Sequence, residues 1–238
     1  MVVFVKYLLT SALCGYAYTR HSSNKLLSAI LLASALQLGG LALLFRLRKG
    51  AAVIGKDSTT GKIPLWSYII FAPFHLCNAL YLAAMLVARR NVPSVSEVLP
   101  GLWIGGVRSY DVKAHSEWQG VVDLTNEFPE LSHTNEYLNL QVSDGNAPTL
   151  AQLDAACEFV AANAKRGPVL VHCAFGVGRS TTVLCAVLVA MGYAPNIEAA
   201  FRMIKKKRPC VRLNATMRSA LERWETKRNN KKWCPRIS

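Results

Sequence analysis

The strongest chemical signal in this chain is a cysteine and an arginine separated by five uncharged residues: His172-Cys173-Ala174-Phe175-Gly176-Val177-Gly178-Arg179-Ser180. The apolar run Val169 to Val171 before it reads as a buried strand, and the run from Thr181 to Met191 after it as a helix. A loop between a strand end and a helix N-terminus can turn its backbone N–H groups, here those of residues 174 to 179, toward a bound oxyanion, and the helix dipole favours negative charge there. The same field lowers the pKa of the Cys173 thiol, and the thiolate is the nucleophilic form. Arg179 carries a planar fork that can grip two phosphate oxygens, which lysine cannot do. These residue types at this spacing predict covalent phosphoryl transfer. Cys173 attacks, the 174–179 loop and Arg179 cradle the phosphate, and Ser180 hydrogen-bonds the sulfur and helps it leave. A packed cysteine in an anion-binding loop that does no chemistry is the alternative.

Cleavage of a phosphate ester also needs a proton for the departing oxygen. Upstream candidates are Asp111, Asp123, Asp144 and Asp154. Asp154 falls on the solvent face of a predicted helix and Asp123 in a buried strand. Asp144 sits in Ser143-Asp144-Gly145-Asn146-Ala147-Pro148, turn-forming company directly after a strand, where a mobile loop could bring its carboxyl over a bound ester. Asp144 is therefore the expected general acid. His172 is expected to orient the loop through backbone hydrogen bonds. The other histidines (His21, His75, His115 and His133) have no ligand spacing, so neither a metal nor another cofactor is expected.

The elements that must position these residues alternate as in an α/β domain. Strands are predicted around 98–104, 120–125, 136–142 and 168–172. Helices are predicted over 149–165, 181–191 and 195–207, with a last one capped by Asn214. The loop, its flanking strand and helix, its two glycines and the trailing hydroxyl resemble the signature of the cysteine-based phosphatases. Val98-Leu99-Pro100-Gly101-Leu102-Trp103-Ile104-Gly105-Gly106 resembles the first strand and turn of their dual-specificity group. The resemblance covers residues 95–228 and implies a central, mostly parallel sheet flanked by helices. It also implies a general acid on an upstream loop, and Asp144 stands 29 residues before Cys173. Low-molecular-weight tyrosine phosphatases place the loop and the acid in the reverse order, rhodanese-type enzymes have a shorter loop, and the larger tyrosine-specific enzymes need a longer domain.

The resemblance further implies phosphotyrosine and phosphoserine/threonine proteins as substrates. Lipid phosphatases of the superfamily carry Lys or Arg inside the loop. Its absence here argues against a polyphosphorylated inositol headgroup but leaves open a lipid monoester such as phosphatidylglycerophosphate. An inactive, membrane-tethered phosphoprotein-binding module is a third reading, opposed by the presence of Cys173, Arg179 and Asp144 together.

The first ninety residues have a different character. The chain of 238 residues is 52% hydrophobic, with a mean hydropathy of +0.22. Residues 26–45 and 63–88 contain no Asp, Glu, Lys or Arg, and about 20 such residues suffice to cross a bilayer. Residues 26–90 are therefore expected to form a membrane region of α-helical transmembrane segments. Residues 1–25 are read as an apolar segment serving as an extra span, a targeting segment or an interfacial helix.

Charge comes in blocks: net +9 over residues 1–96, −6 over 97–201 and +11 over 202–238. Residues 202–236, with the basic tail 229–238 at their end, are expected to meet anionic headgroups. Nucleic acid is disfavoured, since no stacking pattern accompanies the charge.

Orientation carries a conflict. The 46–62 loop and Arg89-Arg90 are both basic, and a single crossing by 63–88 would put them on opposite faces. Pro64 and Pro73 allow a re-entrant path instead. Seven cysteines without regular spacing, and a nucleophilic thiolate, fit a reducing compartment. An integral membrane protein with its catalytic domain facing the cytosol is expected.

Overall fold

The computed structural model describes residues 2–21, 23–47, 49–109, 118–131 and 134–231. Asp111, His115, His133 and residues 232–238 of the expected basic tail lie outside them.

The apolar N-terminal sequence folds as a helical hairpin, α1 (Val2–Arg20) and α2 (Lys25–Arg46). Asn24 caps α2 by accepting from Leu27 N at 3.1 Å. A short α3 (Gly50–Ile54) follows and ends at Gly55, whose φ of 74° suits glycine. Residues 63–88 do not form one continuous helix. They divide into α4 (Leu65–Ile70) and α5 (Ala72–Ala88), with the break at Phe71. Pro73 explains it: a proline ring in mid-helix clashes with the preceding turn, whereas at a helix start it is tolerated. Among the described residues one helix, α2, is long and apolar enough to cross a membrane, and α5 is a shorter apolar helix.

Inside this module the Tyr7, Phe45 and Phe74 rings lie 5.2–5.7 Å apart. Asn78 of α5 is 3% exposed, and its Oδ1 accepts from Lys6 Nζ at 2.7 Å and Tyr7 OH at 2.8 Å. That contact gives the lone lysine of α1 a partner.

The second module is built on a five-stranded sheet of order β1-β2-β5-β3-β4. β1 (Val95–Leu99) and β2 (Leu102–Gly105) form an antiparallel hairpin turning at Gly101, φ 78°. β3 (Trp118–Asp123), β4 (Thr134–Asn139) and β5 (Val169–His172) run parallel to each other, and β2 pairs parallel with β5. In register, Gly105 and Asp123 both face His172, so the C-terminal ends of three strands meet where the Cys173 loop begins. The sheet is thus mostly parallel, as expected; β3 and β5 lie within two residues of the expected strands and β4 within three, but the single strand expected over 98–104 is two, β1 and β2, because Gly101 turns the chain back on itself.

Helices α6 (Leu150–Asn163), α7 (Arg179–Ala190), α8 (Ile197–Lys207) and α9 (Ala215–Lys231) complete the module. Thr149 and Gln152 form a reciprocal capping box on α6, Asn196 caps α8, and Asn214 caps α9 through Met217 N at 2.9 Å. Every residue of α7 is buried, which makes it the central helix. Asp154 remains partly exposed, as expected, but it also accepts from Trp224 Nε1 at 2.6 Å and Lys227 Nζ at 3.0 Å, pinning α9 to α6. Leu184 of α7 is fully buried in the main core. Leu184→Ala is expected to cost about 2–5 kcal/mol, measured by denaturant unfolding of the full chain in detergent. A loss under about 1 kcal/mol would contradict the central place given to α7.

Candidate active site

Cys173 follows the last residue of β5, and its backbone N donates to Gly105 O at 3.3 Å. Its Sγ lies 3.3 Å from Ser180 Oγ, on the first turn of α7. Burial alone would push this thiol up. The Arg179 guanidinium, the Ser180 hydroxyl and the amides of Ser180 and Val177 outweigh that, and the pKa falls below its ordinary value. Arg208 fixes the shape of the loop from outside. It donates to Gly176 O at 2.8 Å, Phe175 O at 3.1 Å, Pro93 O at 2.9 Å and Ser96 Oγ at 3.0 Å. Holding the loop carbonyls outward leaves the amides to face inward. Gly176 sits at φ 64°, and a Cβ there would come within 2.6 Å of Gly105 O, so no side chain fits.

Arg179 is 1% exposed and does not present its far fork to the cavity. That edge is taken by Glu127, with Nη2 to Oε1 at 2.6 Å and Nη1 to Oε2 at 3.1 Å. Nη1 also donates to Val142 O at 2.7 Å and Leu124 O at 3.3 Å. Its buried Nε has no hydrogen-bond partner among the described residues, so the side edge of Nε and Nη2 is the one left for an anion. Asp144 Oδ1 lies 3.6 Å from Arg179 Nη2, and its side chain is 40% exposed. Its loop is tied at Gly145 O by Asn214 Nδ2 at 2.9 Å.

Cys173, Arg179 and Asp144 line one cavity of about 420 Å³, joined by Phe175 of the loop, by Tyr81 from the middle of α5 and by Arg89 just after it. Tyr81 packs edge-on against Phe175 with ring centroids 5.7 Å apart, and the Arg89 guanidinium lies 5.4 Å from the same ring. The helical module therefore forms one wall of the site.

His172 does more than bond through its backbone. Its carbonyl accepts from Leu124 N at 3.0 Å. Its Nε2 lies 2.6 Å from Glu130 Oε2 and 3.6 Å from Asp123 Oδ1. Burial opposes its protonation, but Glu130 and Asp123 prevail and raise its pKa to about 9. Asp123 is wholly buried and points away from the cavity, bonded to Lys56, Thr125, Tyr137 and Asn139, which removes it from the list of candidate acids. The ligand atoms of Asp123, Glu130 and His172 lie within 4.8 Å of each other, and the Lys56 ammonium supplies a positive charge to that group.

Glu127, Glu130, Arg208, Lys56 and Tyr81 take places at the site that the sequence analysis does not assign them. Glu127 follows a parallel strand at the end where α/β sheets bind ligands, a signal that was available. Arg208 stands in the sequence among cations expected to face lipid. It is buried and structural, and Lys227 is paired with Asp154, so the expected headgroup surface of residues 202–236 is smaller than their charge suggests. Lys56 and Tyr81 carried no local signal.

The sequence profile described as the dual specificity phosphatase catalytic domain matches residues 106–227. The chain belongs to the dual specificity phosphatase family. It is 27% identical over 135 residues to a probable dual specificity protein phosphatase of Dictyostelium discoideum, covering 55% of this chain and 34% of that protein. It is 28% identical over 142 residues to human dual specificity protein phosphatase 16, covering 57% of this chain and 21% of that one. The chain thus spans about a third or less of these two relatives. Among solved structures, human DUSP28 superposes with a TM-score of 0.52 at 25% identity, over 58% of this chain and 96% of that one. A mouse dual specificity phosphatase complexed with zinc tungstate gives 0.53 at 24% identity, over 60% and 94%.

Because His172 holds its proton more tightly folded than unfolded, the stability this contributes is complete below about pH 6.5, the ordinary value. It is lost as pH rises through about 9. Denaturant midpoints of the full chain from pH 6 to 10 are expected to fall across that window and His172→Asn to flatten the fall; an unchanged slope in the variant contradicts the assignment. Iodoacetate inactivation through Cys173 is expected to show an inflection below the free-thiol value of about 8.5, shifted upward in Arg179→Lys. An inflection at or above 8.5 in the unsubstituted protein refutes the depressed thiol.

Proposed function

We propose that this chain is a membrane-anchored phosphatase that hydrolyses phosphate monoesters through a cysteinyl-phosphate intermediate. The carrying observation is that Cys173, its sulfur 3.3 Å from Ser180 Oγ, lines the same cavity as Arg179 and Asp144. Cys173 attacks phosphorus in line, while the inward amides and the Nε–Nη2 edge of Arg179 hold the equatorial oxygens. The bond to the leaving oxygen breaks as Asp144 gives it a proton. Asp144, now a carboxylate, takes a proton from the water that attacks the thiophosphate, and Ser180 Oγ donates to the departing sulfur. An idle binding module would not need this acid beside the nucleophile.

Membrane anchoring is supported by the outer faces of the helical module. Leu9, Leu13, Leu36, Leu76 and Leu80 are each 60–69% exposed, an apolar surface that water does not favour. The break at Phe71 bears on orientation. Lys56 on one flank bonds Asp123, and Arg89 on the other lies over Phe175, so both flanks of residues 63–88 touch the catalytic module. Both basic flanks then lie on one side, and the positive-inside tendency assigns that side, with the active site, to the cytosol.

Phosphotyrosine and phosphoserine/threonine proteins are the first substrate reading, in keeping with the family. A lipid phosphate monoester is the second, favoured by Tyr81 and Arg89 at the cavity wall, next to the apolar module. The test compares the full chain in nanodiscs on phosphopeptides and on lipid monoesters. Cys173→Ser is expected to abolish turnover of either, and Asp144→Asn to reduce kcat about 10²–10⁴-fold. Turnover undiminished in Cys173→Ser refutes the covalent route, and a strong preference for lipid replaces the first reading with the second.

A further inference from the structure

Lys56 lies far outside the family match, yet its side chain is fully buried in the catalytic module. Its ammonium donates to Asp123 Oδ2, to Thr125 O at 3.1 Å and to Thr125 Oγ1 at 3.0 Å, using all three of its protons. Asp123 in turn is within 3.6 Å of His172, the residue before the nucleophile, and His172 pairs with Glu130. The enclosed group holds two cations, Lys56 and His172, and two anions, Asp123 and Glu130. Taking Lys56 away leaves an uncompensated buried negative charge, the costly case for a buried pair.

The same segment holds the site from another direction. The Lys56 carbonyl accepts from Gln141 Nε2 at 2.9 Å. Gln141 is the one described non-glycine residue at positive φ, 46°, and it stands three residues before Asp144. Gly61 O accepts from Glu130 N at 3.0 Å, and a Cβ on Gly61 would come within 2.5 Å of both Glu130 Cβ and Tyr137 OH. The 55–62 turn therefore packs directly on the partners of His172 while bonding the root of the acid loop.

We propose that Lys56 is a positioning residue of the phosphatase, and that its turn makes catalytic competence depend on the docked N-terminal module. One arm, through Asp123 and Glu130, sets His172 and the start of the Cys173 loop. The other, through Gln141, sets the loop of Asp144. The proposal rests on the phosphatase reading above.

The test uses the full chain in detergent with 4-nitrophenyl phosphate and an alkyl phosphate. Lys56→Met is expected to lower kcat about tenfold or more with KM within about twofold. The double variant Lys56→Met/Asp123→Asn, which restores charge balance, is expected to recover most of the loss. Gln141→Leu breaks the second arm without changing charge. It is expected to slow the alkyl ester, which needs the acid, several-fold more than the nitrophenyl ester, which does not. Full activity in Lys56→Met, or a double variant no better than the single one, overturns the first arm. Equal losses on both esters in Gln141→Leu overturn the second, and this variant decides if Lys56→Met does not fold. A wild-type chain that turns over neither ester sinks the functional reading itself, whereas an active wild type with unaffected variants sinks this inference alone.

Discussion

A negative sulfur can be kept in a buried place only if a positive charge is kept beside it, and that charge must itself be balanced. Much of the catalytic module follows from this chain of compensation. Cys173 is held ionisable by Arg179, Arg179 by Glu127, and each partner comes from a different strand end or helix start. A bidentate pair fixes direction as well as charge, so Glu127 decides which edge of the guanidinium faces the cavity. The parallel register of β2, β3 and β5 is what delivers all of these groups to one point.

A second set of balanced charges lies behind the first. Lys56, Asp123, His172 and Glu130 sit beneath the loop entrance and are nearly sealed from solvent. The two sets divide the work. The front set faces the ester, and the rear set holds the strand end from which the loop departs. Arg208 clamps the loop carbonyls from the outside, so that three buried cations, Lys56, His172 and Arg208, serve loop geometry without being the nucleophile's direct partner.

Much of this was legible in the order of residues, for identifiable reasons. The loop, its nucleophile and its arginine are contiguous, so their spacing carries the chemistry by itself. Asp144 was readable because turn chemistry marks its loop, and Asn214 because a helix cap is a local event. What failed was non-local. Lys56 and Asp123 are 67 residues apart, and nothing in either neighbourhood points to the other. Arg208 looks like part of a surface run because its three preceding lysines are exposed; only the packing of α8 shows that the fourth cation turns inward. For the apolar stretch 63–88 a single crossing and a re-entrant path were both open on the sequence, and Pro73 marks the place, next to Phe71, where α4 gives way to α5.

Gly176 has a consequence for how this catalytic loop can diversify. Its α-carbon lies so close to the Gly105 carbonyl that any side chain would force β2 and the loop apart. Mutation at that position therefore cannot add a basic group to the cradle without rebuilding the strand behind it. A more highly charged headgroup would have to be met from loop positions that already carry a side chain, such as Ala174 or Val177, or from the rim at Arg89 or Arg212, while Gly176 keeps the turn of the cradle unchanged.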